Sequence, residues 1–412
     1  MPVFIYQLSL LLYRIGAKLF SPFSLKTRLF VKGHRVALKT VKQKIKGNTN
    51  PVAWFHCASL GEFEQGRPII EKFKEVFPTY KILLTFFSPS GYEVRKEYKY
   101  ADYITYLPWD TKSNAKKLIE MVNPSIAIFV KYEFWHFFIK ELKNKNIPIL
   151  STSSIFRPDQ IYFKPFGRFN LNILKNVSHF FVQTRASKNL LNEFGIDQVN
   201  VAGDTRFDRV ADIEKNRKDL PLVQQFKGNN KLMVIGSCWP EDLEVLINFI
   251  NASDLRFIIA PHELEGGCIE QIQKESLKKT ILYSQLNGLN GDEEVLIIDN
   301  IGLLSSLYGY GEYAFVGGAF KSGLHNILEA AAFGVPIFFG NKNYQKFNEA
   351  VELINLGGAV AVGSYTELRD QFNVFTEETA LQIAGQVNKD YVRDNTGATD
   401  KIISFCQKLL TP

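Results

Sequence analysis

Short runs of β-branched and aromatic residues alternate with longer amphipathic stretches along most of this 412-residue chain. This alternation predicts β/α units, which build a mostly parallel, doubly wound sheet. The pattern begins after Gly47, is interrupted by a charged, Asn- and Lys-rich stretch at 208–230, and then restarts. We therefore expect an α/β protein with two halves of similar length joined by a linker. The predicted strands are Val52–Cys57, Lys81–Phe86, Tyr103–Leu107, Ser125–Val130, Ile147–Thr152, His179–Gln183 and Val199–Ala202, then Leu232–Gly236, Arg256–Ala260, Val295–Asp299, Tyr313–Val316, Pro336–Phe339 and Ala359–Val362.

Composition and motif counts exclude several classes of protein. Hydrophobic residues make up 46% of the chain and charged residues 22%, which is typical of a globular fold and excludes a disordered one. The four cysteines are scattered singly, which argues against a zinc ribbon, a redox motif or a disulfide framework and favours a reducing compartment. The chain contains neither GxGxxG nor GxxxxGK[ST], so a dinucleotide fingerprint and a P-loop are absent. We expect no metal and no cofactor.

The positive charge is concentrated at one end of the chain. Residues 1–50 contain ten Lys or Arg and no Asp or Glu, whereas the net charge of the whole chain is +7. The remainder is therefore slightly acidic, which argues against general nucleic-acid binding.

The same end is apolar. The run Val3–Tyr13 ends at Arg14, and its eleven residues are fewer than the roughly 20 that a bilayer span needs. Apolar and basic side chains continue together beyond it, which favours an interfacial helix on an anionic membrane surface. A signal peptide and an ordinary first helix of the core are the alternatives, and the former normally has its positive charge before the apolar run.

Two acidic residues follow predicted strands of the first half. Glu62 ends the segment His56–Glu62, and Glu133 lies in Lys131–Trp135. A carboxylate at the carboxyl end of a parallel strand is placed to take a proton from an attacking hydroxyl. The alternative for each is a structural role in the first turn of a helix.

Cationic and glycine-rich segments supply candidate anion sites. Arg206, in Gly203–Asp208, can bind a phosphate or carboxylate, or pair with a neighbouring Asp on the surface. In the second half, the glycine-rich run Gly317–Gly323 leads through His325 into a predicted helix that contains Glu329. Such a loop offers backbone N–H groups to an anion. His262 also follows a strand, but its spacing to His325 predicts no metal site.

The order of these motifs resembles the Kdo (3-deoxy-D-manno-octulosonic acid) transferases of lipopolysaccharide assembly over nearly the whole chain. The matching segments are His56–Glu62, Ser88–Gly91, Tyr106–Asp110, Glu133–Trp135, Val201–Asp208, Gly236–Asp242, Ala260–Glu263, Ile298–Leu304 and Gly317–Gly340.

The resemblance implies a GT-B fold of two Rossmann-like domains facing a cleft. It implies an inverting, metal-independent glycosyltransferase on the cytoplasmic face of the inner membrane, with CMP-Kdo as donor and the lipid A precursor (lipid IVA) as acceptor. The implied division is a basic hydrophobic membrane-associating segment (1–46), an acceptor-binding domain (47–207), a linker (208–230), a CMP-Kdo-binding domain (231–395) and a C-terminal helix (396–412) that crosses back to the first domain.

The resemblance also implies roles for single residues. Glu62 matches the general base, Glu133 a residue that stabilises the transition state, and Arg206 a position where the family usually has Lys. The residues that match CMP-Kdo contacts are Pro261, His262, Ile301, Gly302, Leu303, Asn326, Ile327, Leu328 and Glu329. The turn at Gly302 and the helix after His325 would each present an N-terminus to an anion.

This sequence departs from the family pattern at three places. Pro261 stands where Arg is common before the motif's His, Ile327 replaces a Pro, and Thr152–Ser154 replaces an Asn-Ala-Arg segment. The last change affects acceptor recognition, where Arg157 would supply the missing cation. Two other functions fit the same fold. One is another GT-B enzyme that uses a UDP-sugar, either a lipid-linked sugar transferase or an epimerase, and the other is a non-catalytic membrane-bound CMP-sugar-binding protein.

Overall fold

The computed structural model describes residues 2–265 and 267–410, and the chain forms two compact units. Unit 1 comprises Met1–Arg209 and Thr396–Pro412, and unit 2 comprises Val210–Asn395. All four cysteines are free and buried.

Unit 1 is built on a seven-stranded parallel sheet. Its strands are β1 (Val52–Cys57), β2 (Lys81–Phe86), β3 (Tyr103–Tyr106), β4 (Ile126–Val130), β5 (Ile149–Ser154), β6 (His179–Val182) and β7 (Val199–Val201). Its helices are α1 (Pro2–Phe20), α2 (Leu25–Lys44), α3 (Leu60–Val76), α4 (Pro89–Arg95), α5 (Lys112–Val122), α6 (His136–Asn144), α7 (Arg168–Leu174) and α8 (Arg185–Glu193), followed by α9 (Thr205–Lys215), in which the boundary between the units falls.

The strand order in unit 1 is β3-β2-β1-β4-β5-β6-β7. Because β1 and β4 are neighbours, the sheet has its topological switch point between them, which is where open α/β sheets bind ligands. Apolar side chains cover both faces of this sheet in two separate clusters, so the strands are buried on both sides.

Unit 2 has a second seven-stranded parallel sheet, in the order β10-β11-β9-β8-β12-β13-β14. Its strands are β8 (Leu232–Cys238), β9 (Arg256–Pro261), β10 (Thr280–Leu282), β11 (Val295–Ile297), β12 (Tyr313–Val316), β13 (Ile337–Gly340) and β14 (Ala359–Val362). Its helices are α10 (Pro221–Lys227), α11 (Pro240–Ala252), α12 (Cys268–Glu275), α13 (Leu304–Leu307), α14 (Leu328–Ala332), α15 (Asn348–Leu356), α16 (Tyr365–Val374) and α17 (Glu378–Asp394). Here the switch point lies between β8 and β12.

The chain returns to unit 1 at its C-terminal end. The last helix, α18 (Ala398–Leu410), packs on α3, and its buried Ile402, Ile403 and Cys406 join the apolar cluster on that face of the sheet. Both oxygens of Asp208 accept bonds from this segment, from the backbone N–H of Gly397 at 2.5 Å and of Thr399 at 2.7 Å. Unit 1 is therefore assembled from two parts of the sequence separated by all of unit 2.

The N-terminal helix is longer than the apolar run predicted. Helix α1 continues through Arg14 and Lys18 for 19 residues, and none of its residues is buried. By length and composition it could cross a membrane, a criterion that signal sequences near an N-terminus also meet. The helix is therefore longer than the eleven-residue apolar run on which the expectation of an interfacial helix rests, and that expectation stays a prediction.

Two further segments differ from the sequence-based expectation. The predicted linker at 208–230 contains most of α9 and all of α10. The helices after the glycine-rich loop and after Gly302 have only five and four residues. They are too short for the expected anion sites at helix N-termini to rest on a helix dipole.

Candidate active site

The acidic candidates of unit 1 lie at its topological switch point. His56 is the next-to-last residue of β1, and Glu133 follows the neighbouring strand β4 by three residues. The structure joins them directly, with the His56 Nε2 atom 3.1 Å from Glu133 Oε2. The indole Nε1–H of Trp135 donates to the same oxygen at 2.8 Å. Two side chains thus hold one oxygen of the Glu133 carboxylate.

The buried hydroxyl of Thr85 contacts the other ring nitrogen of His56. The Nδ1 atom of His56 lies 2.9 Å from Thr85 Oγ1, and that oxygen accepts a 2.8 Å bond from Trp54 Nε1. The Nδ1 atom also lies 3.0 Å from the Thr85 carbonyl oxygen, so both ring nitrogens of His56 face an oxygen acceptor. His56 and Thr85 are fully buried. The Glu133 side chain is 15% exposed, so the network presents a single carboxylate at the edge of the sheet.

Helix capping, the alternative for Glu133, is carried out by another residue. Helix α6 begins at His136, and Asp110 accepts the backbone N–H groups of Phe137 and Phe138, each at 3.0 Å. Burial raises the pKa of Asp110 to about 6. Glu133 is therefore placed for something other than the helix terminus.

Glu62 caps a helix and also lies in an environment that raises its pKa. Its Oε2 atom accepts the backbone N–H of Ser59 at 2.9 Å and the Ser59 hydroxyl at 3.3 Å, which caps α3. Burial, and then the negative charge of Glu133, raise the pKa of Glu62, while the Ser59 bond and the neighbouring His56 and Lys131 oppose the rise. The structure thus brings Glu62 and Glu133 into electrostatic contact, and a half-buried carboxylate with a raised pKa is suited to accept a proton.

Arg206 is held by a carboxylate in its own turn. Its Nε and Nη2 atoms lie 2.9 and 2.8 Å from Asp204 Oδ2, and its backbone N–H donates to Asp204 Oδ1 at 2.9 Å. Asp204 is only 7% exposed, so this pair is more than the surface ion pair that the sequence offered as an alternative. The pair fixes the direction of the guanidinium group.

Unit 2 has a cluster of stacked rings at its own switch point. Trp239 directly follows β8, and its ring stacks on that of His262 with centroids 4.3 Å apart. His262 stacks in turn on His325, at 4.4 Å. The Lys321 ammonium lies 4.0 Å from the centroid of the Trp239 ring, a cation–π contact, and pairs with Glu241 at 3.3 Å.

The two imidazoles of this ring stack are neutral at neutral pH. Burial, and then the charge of His262, lower the pKa of His325 to about 4, and burial also lowers the pKa of His262. The Nε1–H of Trp239 donates to Nε2 of His325 at 3.0 Å. Because that nitrogen accepts, the neutral ring carries its hydrogen on Nδ1. His325 is therefore a fixed donor at Nδ1 rather than a cation.

A buried carboxylate ties the ring stack to the glycine-rich loop. Asp242 Oδ2 accepts the backbone N–H groups of Trp239 and Gly318, each at 2.9 Å. Burial raises the pKa of Asp242 to about 6. Gly318 has a φ of +97°, and a Cβ there would lie 2.6 Å from both His325 Cδ2 and the Gly323 carbonyl oxygen. Only glycine fits this turn, because the imidazole packs directly against it.

The remaining candidate residues of unit 2 lie in three places: the run Asn326–Glu329, the end of β9 and the turn Ile301–Leu303. Asn326 Nδ2 donates to Glu329 Oε1 at 3.3 Å, next to the ring stack in sequence, while Ile327 and Leu328 are buried. Pro261 ends β9 immediately before His262. The segment Ile301–Leu303 forms a turn before α13, in which the Ile301 side chain is 90% exposed.

Several residues of these clusters were not among the predicted site residues. His56, Thr85, Trp135, Trp239, Asp242 and His325 belong to this group. A polar residue in an otherwise apolar strand, such as His56 in β1, was the available signal. Within the residues that the structure describes, no group of three or more His, Cys, Asp or Glu side chains is placed to hold a metal ion.

Comparison with known proteins gives matches in sequence and in fold. A family model described as 3-deoxy-D-manno-octulosonic-acid transferase (kdotransferase) matches residues 32–209. The 3-deoxy-D-manno-octulosonic acid transferase of Chlamydophila psittaci is 28% identical over 333 residues, which cover 77% of this chain and 75% of that protein. The Aquifex aeolicus protein of the same name is 28% identical over 336 residues, 79% of this chain and 86% of that protein.

Among solved structures, the UDP-GlcNAc 2-epimerase of Neisseria meningitidis superposes with a TM-score of 0.61 over 87% of this chain and 100% of that one, at 17% identity. A likeness at that identity shows the fold alone, and it confirms the predicted GT-B architecture of two Rossmann-like units. The family model matches much of unit 1 and the relatives match more than three quarters of the chain, so the chain is similar to the 3-deoxy-D-manno-octulosonic acid transferases, and this similarity indicates a glycosyltransferase.

Proposed function

We propose that this protein transfers Kdo from CMP-Kdo to the lipid A precursor with inversion at the anomeric carbon. The observation that supports this most strongly is the pair of carboxylates at the switch point of unit 1, Glu62 with a raised pKa beside Glu133. A general base of this kind matches a reaction in which a sugar hydroxyl is the nucleophile.

In the proposed reaction, Glu62 accepts the proton of the acceptor's hydroxyl as that oxygen attacks the anomeric carbon of the donor. A new C–O bond forms on one face while the bond from that carbon to the CMP phosphate oxygen breaks on the other, so CMP leaves with the electron pair. The capping bonds of Glu62 both end on Oε2, and Oε1 can therefore take the proton.

Glu133 stabilises the positive charge that develops on the sugar ring in the transition state. Its carboxylate is oriented by His56 and Trp135, so little reorganisation is needed when that charge appears. Arg206, oriented by Asp204, stabilises the departing phosphate, although a guanidinium and the family's usual ammonium differ in geometry.

Unit 2 binds the donor in this proposal. The nucleotide contacts come from Pro261, His262, the turn Ile301–Leu303 and the run Asn326–Glu329. Since His262 and His325 are neutral, they act through hydrogen bonds and ring surfaces, while Lys321 is a nearby cation.

We also propose that α1 and the basic segment of residues 1–46 hold unit 1 on the cytoplasmic face of the inner membrane, where the acylated acceptor lies. Helix α1 exposes large apolar side chains, and each Lys or Arg near an anionic leaflet adds about 1 kcal/mol of attraction. Neutralising the basic residues at 14–46 should lower binding to phosphatidylglycerol vesicles while CMP binding is retained. Unchanged vesicle binding would contradict the anchoring role.

The proposed function is tested by Kdo transfer from CMP-Kdo to a tetraacylated lipid A precursor, comparing the wild type with Glu62→Gln. We expect transfer by the wild type and a loss of about 10²–10⁴-fold in the variant, with folding and CMP binding intact. Activity in both would assign the base to another residue, Glu133 first.

A well-folded wild type without transfer would contradict the proposed function. A donor screen of cytidine against uridine nucleotides would then separate the UDP-sugar alternatives. Binding of CMP-Kdo without turnover would indicate the non-catalytic binding protein.

A further inference from the structure

An apolar cavity of about 460 Å³ opens between α1, α2 and the turn after β2. Helix α1 contributes Tyr13, Gly16, Ala17 and Phe20 to its lining. At Gly16 a Cβ would meet no atom within 4 Å, so the missing side chain leaves open space. The volume lies within the range of small-molecule sites, roughly 300–1,000 Å³.

The inner wall of this cavity is aromatic. Phe30 and Phe87 meet edge to face with centroids 5.2 Å apart, and Tyr13 stacks on Phe87 at 6.4 Å. Neither the charged groups of the candidate active site nor any acidic side chain is part of this lining. The cavity therefore offers hydrocarbon contact, which favours an apolar guest.

The same wall connects the cavity to the candidate active site of unit 1. Phe87 packs on Trp135 with ring centroids 4.8 Å apart. Trp135 is the residue whose indole donates to Glu133 Oε2. One aromatic ring thus separates the apolar cavity from the group that holds the catalytic carboxylate.

The lining also includes one cation and an exposed aromatic ring. Among the residues that the structure describes, Lys26 is the single charged side chain of the lining. Phe20, which also lines the cavity, is 68% exposed. An apolar lining with one cation is complementary to an amphiphile that has an acyl chain and an anionic head group.

We propose that this cavity binds one acyl chain of the glycolipid acceptor. The inference rests on the proposed function for the acceptor's identity, and it adds a subsite that holds the acceptor by its chain beside the carboxylates. A phospholipid of the bilayer has a similar chain, but it has no sugar to present to Glu62. The short path from Phe87 through Trp135 to Glu133 favours the acceptor as occupant.

The first test uses Gly16→Leu, which fills the cavity from an open position. We expect kcat/KM for a tetraacylated acceptor to fall by about tenfold or more, since each buried methylene contributes to binding. For the fully deacylated acceptor it should stay within about twofold of wild type. Gly288→Leu, at another open position on unit 2, is the matched control and should change neither value.

Equal losses with both acceptors, or no loss with either, would overturn the proposal.

The second test does not need turnover: dodecyl phosphate with a diazirine on its chain is photo-crosslinked to the full-length protein, and the labelled residues are mapped. We expect labels within 13–30 and at 87–89, displaced by the acylated acceptor and not by phosphatidylglycerol.

Labels confined to the outer side of α1, or displaced equally by phosphatidylglycerol, would identify the bilayer as the occupant and contradict the subsite. Displacement by the acylated acceptor in a protein that transfers no Kdo would instead contradict the proposed function and leave the subsite supported.

Discussion

The two units carry similar sheets and dissimilar chemistry at the corresponding place. Unit 1 presents Glu62 and Glu133 at the junction of β1 and β4, with hydrogen-bond donors arranged around them. Unit 2 presents the neutral stacked rings of Trp239, His262 and His325 at the junction of β8 and β12. A common architecture thus places both clusters at the same position of the sheet, and the side chains at the strand ends give one cluster carboxylates and the other neutral rings.

Among the variants that test this difference between the units, Glu133→Gln is expected to have the largest effect. Replacing it with Gln keeps the shape and removes the charge, so we expect kcat to fall by about 10²–10³-fold. CMP affinity, which we assign to unit 2, should not change. Steady-state kinetics with titration of CMP binding would check this, and a parallel loss of CMP affinity would contradict the division of roles.

Trp239 provides the converse test in unit 2. In Trp239→Leu both the stacking surface and the N–H donor are lost, and we expect CMP to bind about tenfold more weakly while kcat at saturating donor changes little. Trp239→Phe keeps a ring and should lie between the two. The ¹⁵N shifts of His325 should report a hydrogen on Nδ1 in wild type, and a predominant Nε2–H form would contradict the tautomer argued above.

Gly318 tests the packing of the cluster in unit 2 through the free energy of unfolding. An alanine there would clash with the His325 ring and occupy a positive φ, so we expect Gly318→Ala to lower the free energy of unfolding by about 1–3 kcal/mol. Gly61 lies in the first turn of α3, next to Glu62, and its Cβ position is open. Gly61→Ala is the control, and equal destabilisation of both variants would contradict the clash.

The smallest expected effects are shifts with pH. Glu62 must be ionised to accept a proton, and its pKa is raised, so transfer should fall as the pH drops through a value above that of an ordinary glutamate. Removing the Glu133 charge in Glu133→Gln should move this fall in activity, the acidic limb of the pH–rate profile, to lower pH. CMP binding should lack a histidine limb between about pH 5 and 8, because the pKa of His325 is about 4. If the acidic limb of the activity profile stays at the same pH in Glu133→Gln, the titrating group is not Glu62.

Local sequence patterns were sufficient for most of the framework. Strands β1, β2, β12 and β14 begin and end where the apolar runs predict. The runs of β12 and β14 are bounded on both sides by a polar residue or glycine. Strand β10 was missed, since its three residues form no distinct run. The length of α1 was underestimated because a count of apolar residues stops at the first basic one.

The site was predictable only as separate pieces. Glu62 and Glu133 were found because each follows a strand, yet the bond between His56 and Glu133 joins residues 77 positions apart. The stack of Trp239 on His262 and His325 likewise depends on three strand ends meeting in the folded sheet. Such contacts follow from topology and side-chain packing, which the spacing of residues along one segment does not contain.

The bonds from Asp208 to the start of α18 have a consequence for the order in which the chain folds during synthesis. Unit 2 is continuous and can fold once residue 395 has left the ribosome. Unit 1, although its larger part is made earlier, completes its apolar core only when Ile402, Ile403 and Cys406 have followed unit 2 out of the ribosome. The earlier segment therefore keeps part of an apolar face uncovered until α18 docks on it, and such an exposed face is prone to aggregation while it lasts.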